Sequence, residues 1–456
     1  MQNRRFFVTS KGATRDIAEF ALKTTYDDFD DKLRQRMKEI LLDSVGMTLP
    51  GAFMTQAKAA INYIKELRAP EEAGVWAAGF RTSAEWAAVA NGCSSHDTEF
   101  EDDTYPDGTY QVGIFPGIFA LGEKLHISGK QAIEGFVIAF DIAAKIGLSS
   151  LECMTRGFTG PALFCTIGVA ASAAKMLKLD VDTTVHAVSI AASHGSGLLK
   201  QTGAGIHLYE AGLASKDGIS SAMLAKHGLT GLPNIIEMPM GFLDAVAGVT
   251  DPDLKLGEGG FHSINIGIKR YPCCFMQQQV MFGFLELIRE NNISADDVES
   301  IEVDVQPGFL RPVRFHHPDN EDQARFSLPH SLAVLLLDEK VFLDSYNEER
   351  VHDPKVKALR DRVKIIVHPE WDLPGISGHD NPVKIRLKDG REFSKVCTSA
   401  DVSMILGTDE IMEKYMGCAL RVVSKSRAEQ IADMVLSLEK VDDISKISEL
   451  ATYPDK

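Results

Sequence analysis

His96 stands at the head of an acidic run, and a histidine among closely spaced carboxylates is a proton-transfer arrangement. In NGCSSHDTEFEDDTYPDG it is followed by Glu99, Glu101, Asp102, Asp103 and Asp107. Carboxylates this close repel one another and resist full ionisation, which raises the pKa of some of them. Groups tuned in this way move protons near neutral pH or hold a metal ion. A solvated acidic loop is the competing reading. The setting argues against it, because the run lies between AEWAAVANG and GIFPGIFALGE, two Ala/Gly-rich apolar stretches that read as buried.

Four further segments carry chemistry-bearing residues. MTRGFTGPALF is a Gly/Pro loop entering a helix, with Arg156 and Thr159 at its mouth. Free N–H groups there can hold a carboxylate, although an ordinary interhelical turn has the same look. SHGSGLLKQTGAGIHLYEAGLASKDG has too many glycines to be one regular helix, and His194, Lys200 and His207 punctuate it. No strand precedes it, so a nucleotide-binding glycine loop is a poor reading. Two histidines and a lysine in such a turn point instead to a cavity wall. IKRYPCCFMQQQ places Lys269 and Arg270 before Tyr271-Pro272. A lysine beside a buried acid site pairs with a substrate carboxylate or donates a proton. Cys273 and Cys274 read as packing rather than as nucleophiles. In FLRPVRFHHPDNEDQARFSLPHSL, Arg311, Arg314, His316, His317, Arg325 and His330 form a basic cluster. It is either a solvated loop or an anion-recognition element.

The elements that must position these residues are mostly helical up to about residue 250. DDKLRQRMKEILLDSVGMTL has apolar residues at helical spacing behind an acidic first turn. SGKQAIEGFVIAFDIAAKIG opens with a Ser cap and ends at Gly147. TIGVAASAAKMLKLD and VDTTVHAVSIAASHGSG are rich in small residues, which let helices approach closely. Beyond about residue 262 the texture changes. SIEVDVQP alternates like a strand, VKIIVHP does so more weakly, and VKIRLKDGREFSKV is a hairpin turning at Asp389-Gly390. Helical pattern returns in DEIMEKYMGCALRVV and SRAEQIADMVLSLEKV. The expected fold class is mainly α with an α+β part. Residues 1–265 and 405–456 are expected to build a large helical domain, and 266–404 a smaller α+β domain inserted in it. Ligand sites favour such domain interfaces.

Composition narrows the partners. The chain of 456 residues is long enough for two or three domains. Its net charge of -16 and pI near 5.3 argue against nucleic acid and against an anionic membrane surface. MQNRRFFVTSKGATRD lacks the apolar core of a secretory signal, and no apolar run is long enough to span a bilayer. Seven cysteines without metal-type CxxC spacing fit free thiols in a reducing compartment, with the cytoplasm as the expected location.

Together the motifs resemble the MmgE/PrpD family, whose members include dehydratases, a decarboxylase and an epimerase of small carboxylic acids. The resemblance runs through most of the chain. It is carried by NGCSSHDTEFEDD, which is similar to the family's NG-x-x-x-H-x-x-DFDD; by FPGIFALGE with SGKQAIEGFVIAFDIAAKIG; by GFTGPALFCTIGVAASAAKMLKLD, HAVSIAASHGSGLL and ASKDGISSAMLAKHGLTG; and by KRYPCC. It implies a large all-helical domain with a smaller α+β domain, a homodimer, and no metal or organic cofactor. Several positions depart from the family pattern. Glu99 stands where the family has the leading Asp of DFDD, and Asp103 where its decarboxylase has Thr. Thr109 and Thr159 stand where histidines are usual. His207 falls near the lysine of a T-K-P motif, with Lys200 as the other replacement. Lys269 matches the lysine of K-x-[YFW]-P. His330 falls where the decarboxylase has Tyr.

The expected chemistry is a carbanion formed beside a substrate carboxylate, with cations holding the developing charge. His207 is the candidate base, with His330 or Asp103 as partner acid. Lys269, with Arg156 or Lys200, is expected to bind substrate carboxylates, with Thr159 beside them. Glu99 and Asp102 would orient His96 or Lys269 and offset their charge. Other readings are an epimerase, a metal enzyme using Glu99, Glu101, Asp102 and Asp103 as oxygen ligands, and a non-catalytic carboxylate binder.

Overall fold

The structure is a computed structural model that describes residues 12–103, 108–371, 380–396, 398 and 405–455. Asp107 and the first eleven residues, both used above, lie outside them. The first part is helical: α1 (Ala13–Lys23), α2 (Asp31–Gly51), α3 (Thr55–Glu66), α4 (Ala84–Asp97), α5 (Gln111–Leu125), α6 (Gly129–Leu148), α7 (Gly160–Met176), α8 (Val181–His194), α9 (Gly205–Lys226) and α10 (Phe242–Ala247). Two short pairings interrupt it. Strands β1 (Ala73–Val75) and β2 (Phe80–Thr82) form a hairpin, and β3 (Asp102–Asp103) pairs with the distant β4 (Gly267–Ile268).

Local signals set the helix ends. Asp30 caps α2 by accepting from the Leu33 N–H at 2.8 Å, and Ser128 with Gln131 forms a capping box on α6. Asp102 accepts from the backbone N–H groups of Tyr110 and Gln111, so this acid anchors the start of α5. The helices then pack through small residues. A Cβ on Gly92 of α4 would lie 2.6 Å from the Gly212 Cα of α9, so the two backbones touch there.

The smaller part is an α+β unit. Strands β5 (Val298–Val305), β6 (Val363–Val367), β7 (Val383–Leu387) and β8 (Glu392–Lys395) form a sheet in the order β6-β5-β7-β8. Strand β6 runs parallel to β5; β7 is antiparallel to it, and the β7–β8 hairpin turns at Gly390, whose φ of 89° suits glycine. Its helices are α11 (Gln278–Glu290), α12 (Glu321–Ala324), α13 (Leu328–Asp338), α14 (Glu348–His352) and α15 (Pro354–Arg360). The chain then returns to the helical part as α16 (Thr408–Ala419), α17 (Lys425–Leu436) and α18 (Ser445–Thr452). One apolar core draws on residues from Ala13 to Ile268 and again from Leu406 to Ala451. A second is built from Tyr271 to Leu387. The fold is therefore a large helical domain with a smaller α+β domain. No helix among the described residues is long and apolar enough to cross a membrane.

Candidate active site

The acidic run does not face solvent. Glu99, Glu101 and Asp102 are buried, and Asp103 is half-buried. Helix α4 delivers His96 in its last turn, and Glu99 follows in the left-handed region with φ 50°. That conformation costs a non-glycine residue roughly 1–2 kcal/mol. It folds Glu99 back over the helix end, so its Oε1 lies 3.6 Å from His96 Nε2. Backbone strain of this kind concentrates at functional sites.

Lys269 arrives from the other end of the chain. The β3–β4 pairing sets Asp102 opposite Ile268, and the Lys269 N–H donates to the Glu101 carbonyl at 3.1 Å. The Lys269 ammonium then lies 3.1 Å from Glu99 Oε2 and 2.5 Å from Glu101 Oε1. Behind this ladder the buried Lys414 pairs with Asp43 at 2.8 Å and donates to the carbonyls of Phe100 and Lys269. Two fixed carbonyls thus hold the backbone on both sides of the cluster.

Helix α9 supplies the next residues. Because α4 and α9 touch at Gly92 and Gly212, the rings of His96 and His207 come to 4.8 Å. Glu210, one turn beyond, places its Oε2 3.6 Å from His207 Nδ1 while its Oε1 accepts from the Leu198 N–H at 3.3 Å. At 3.6 Å, Oε2 and Nδ1 are close but not hydrogen-bonded. Thr159, at the start of α7, lies beside Glu210 across Gly197.

Burial and charge set the protonation states. Burial alone would depress Lys269, but Glu101, Glu99 and Asp103 outweigh it and hold the ammonium well above the usual lysine value. Burial would raise Glu99; Lys269, His96 and His207 overcome it and keep this carboxyl below its ordinary value. At Glu101 burial wins over Lys269, and with the Glu99 charge added the carboxyl is pushed up to about 7. Two carboxyls share one ammonium, so the pair titrates as a unit. Burial, with His207 and Lys269, drops His96 to about 3, so this imidazole is neutral.

A narrow cleft reaches this cluster at Glu99. It is lined by Glu99, the Gly203–Ala204 turn before α9, Leu208, and Asp322, Arg325 and Phe326 of the smaller domain. Phe326 also packs near the His207 ring, at 6.4 Å.

The cluster therefore brings together His96, Glu99, His207 and Lys269, with Asp103 in electrostatic reach and Thr159 behind Glu210. Other expected residues are placed elsewhere. Asp102 is occupied by the α5 backbone. Arg156 is exposed and donates to the carbonyls of Asp244 and Ala245, at the end of α10. Lys200 is also exposed, in the turn before α9. His330 is buried in the smaller domain, its Nε2 bonded to the Ser345 carbonyl at 2.9 Å, and burial lowers it to about 4. Local charge and glycine content singled out Arg156 and Lys200, but neither signal encodes direction. The sequence reading did not single out Glu210, gave Glu101 a role only as a metal ligand, and named Arg325 only as one member of a basic cluster. Glu210 carried a usable signal, its i,i+3 spacing from His207. Cys273 and Cys274 are buried, and burial pushes the Cys273 thiol up to about 12, consistent with packing.

The four-acid metal site does not converge, since Asp102 and Glu101 face different partners. His96, Glu99 and His207 do present ligand atoms within 4.8 Å of one another. A tetrahedral zinc with bonds of about 2.0–2.1 Å would need them about 3.3 Å apart. Lys269 is moreover already the cation of Glu99.

Residues 15–255 match the MmgE/PrpD N-terminal domain and residues 271–440 the MmgE/PrpD C-terminal domain. The chain belongs to the MmgE/PrpD family. Among curated relatives of this family, it is 24% identical to cis-aconitate decarboxylase of Mus musculus over 97% of this chain and 94% of the relative. It is 25% identical to cis-aconitate decarboxylase of Aspergillus terreus, covering 98% and 97% of the two chains. A mitochondrial 2-methylcitrate dehydratase of Yarrowia lipolytica is 24% identical over 63% of this chain and 58% of its own. At the level of the family, lyase chemistry on small carboxylic acids is what these relatives share.

Proposed function

We propose that this MmgE/PrpD protein is a cofactor-independent lyase acting on a small di- or tricarboxylic acid, by dehydration or decarboxylation through an enolate-like carbanion. The observation that carries the reading is the buried Glu101–Lys269–Glu99 chain ending at a cleft, with Arg325 in its wall and the His207 ring 6.4 Å from the Phe326 ring that lines it. The named activities of the relatives support the same class.

In the dehydration direction, His207 takes a proton from the carbon next to a carboxylate. The electron pair remains as an enolate-like charge, the C–O bond breaks, and the leaving hydroxide receives a proton to depart as water. In decarboxylation the C–C bond to the carboxylate breaks, CO2 leaves, and its electron pair takes a proton at carbon. Dehydration needs one proton carrier that starts free and one that starts loaded, whereas decarboxylation needs only the loaded one. His207, with Glu210 beside it, takes the first role. Glu101, protonated near neutrality, loads the second through Lys269 to Glu99 at the cleft wall. Lys269 provides the cationic field for the developing charge. Asp103 adds to the negative field on Lys269, and neutral His96 spaces the two carriers. A homodimer and a cytoplasmic location belong to the same proposal; the buried free cysteines fit a reducing compartment.

The test is incubation with cis-aconitate and with 2-methylcitrate in D2O, followed by proton NMR and CO2 release. Loss of CO2 with solvent deuterium at the protonated carbon of the product, or loss of water to leave an alkene without added deuterium, supports a lyase. Deuterium entering unconsumed substrate identifies an epimerase. Binding with neither reaction nor exchange identifies a carboxylate binder and overturns the lyase reading.

A further inference from the structure

We propose that Arg325 receives a substrate carboxylate, held between its guanidinium and the Gly203–Ala204 turn. This rests on the reading of the cleft as a carboxylic-acid site and assigns the subsite that fixes substrate orientation. Arg325 is 1% exposed, yet its Nε, Nη1 and Nη2 have no hydrogen-bond partner. Its nearest carboxylate oxygens belong to Asp322, at 3.8 Å, and Glu321, at 3.9 Å. These distances balance charge but are too long for hydrogen bonds. A buried guanidinium without hydrogen bonds is costly. The fold nevertheless keeps the local acids from closing on it. Asp322 Oδ2 accepts from Gln56 Nε2 at 2.8 Å. The buried Asp97 uses its Oδ2 to accept from the N–H groups of Gln56 and Ala57 at the start of α3. Asp322 Oδ1 and Asp97 Oδ1 make no hydrogen bond either, so neither closes on the guanidinium.

The cleft fills that gap. Arg325 lines it, and the wall beside it is the Gly203–Ala204 turn. Gly203 has φ 81°, and a Cβ there would meet the Phe315 ring at 2.7 Å, so the turn keeps its bare backbone against the smaller domain. Helix α9 begins immediately after, and its first-turn dipole favours an anion. A planar carboxylate matches the guanidinium fork with two parallel bonds. Arg325 comes from the smaller domain and Glu99 from the larger. A substrate carboxylate on Arg325 therefore holds the molecule across the interface, with its reacting carbon toward His207 and Glu99. The occupant is a carboxylic acid with at least two carboxylates, one to anchor and one beside the reacting carbon.

The test uses tricarballylate, a saturated tricarboxylate that can neither lose water nor decarboxylate by this route, with butyrate as the single-carboxylate control. Titration calorimetry on the whole protein should show tricarballylate binding more tightly than butyrate. Arg325→Gln should weaken tricarballylate at least 30-fold, with Arg325→Lys in between, and butyrate should lose less. If Arg325→Gln alone does not fold, the double variant Arg325→Gln/Asp322→Asn removes both charges of the pair and decides the point. Tricarballylate binding within 3-fold of the parent in the folded glutamine variant overturns the assignment, as does absence of tricarballylate binding to the parent. Intact binding without turnover of any tested acid would overturn the lyase reading and leave the Arg325 subsite standing.

Discussion

Lys269→Met removes the ammonium and keeps most of the side-chain volume, leaving two buried carboxyls with no cation between them. Breaking a buried ion pair from one side costs about 3–5 kcal/mol. Protonation offers a cheaper state. In the parent, Glu99 is held ionised chiefly by Lys269 against the effect of burial. Without Lys269, burial governs and Glu99 keeps its proton in the native state. The unfolded chain, where a glutamate titrates near its ordinary value of about 4.3, has released that proton at neutral pH. Unfolding of the variant then releases one more proton than unfolding of the parent, so its relative stability falls as pH rises. The slope is about 1.4 kcal/mol per pH unit for one proton, or about 4 kcal/mol between pH 5 and 8. Lys269→Met should therefore be near parental stability at pH 5 and lose about 3–5 kcal/mol at pH 8. Adding Glu99→Gln should restore stability at pH 8 without restoring turnover. Urea unfolding at pH 5, 6.5 and 8, read by circular dichroism beside a turnover assay, measures both effects. A loss of equal size at every pH, or none at pH 8, would refute the account of the cluster as two carboxyls sharing one ammonium.

His207→Gln should lower turnover by about 10²–10⁴-fold with little change in melting temperature, because this ring is partly exposed and its Nδ1 makes no hydrogen bond. Gly212→Ala should destabilise by about 1–3 kcal/mol through overpacking and should also lower kcat, since the α4–α9 contact it opens sets the His96–His207 spacing; a melting curve and kcat measured together check this. Acid should destabilise the protein through His96 and His330, held down at about 3 and about 4 by burial. Their neutral forms contribute stability that is complete above the unfolded value near 6.5 and is lost as pH falls toward those folded values. His330→Asn should flatten the part between pH 6.5 and 4 by about 3 kcal/mol, read from urea unfolding across that range; an unchanged slope would count against it.

Features decided within a few residues could be read directly. The Asp30 and Ser128 caps, the Gly390 hairpin and the small-residue helices need only local backbone rules, and the structure contains them. The glycine-rich stretch through residue 218 is broken only up to Ala204; from Gly205 onward it is the regular helix α9, because its glycines there serve close packing rather than turns. The β3–β4 pair was not legible, since each strand has two residues and no periodicity. Arg325 was visible only as one member of a basic cluster. Arg311, Arg314, His316 and His317, exposed around it, have the same local chemistry, and burial alone sets it apart.

The amino-acid sequence by itself determined the family, the helical and α+β character, and the acidic motif with its histidine and distant lysine, because residue types and short spacings carry these. Tertiary structure decided which acid is ionised, which histidines meet each other and which arginine is buried without hydrogen bonds. These properties depend on burial and on separations of a few ångströms. The contacts that set them join residues as far apart as Glu99 and Lys269, 170 positions distant in the chain. No local pattern encodes such a distance. It follows from two helices touching at glycines and a two-residue strand finding its partner.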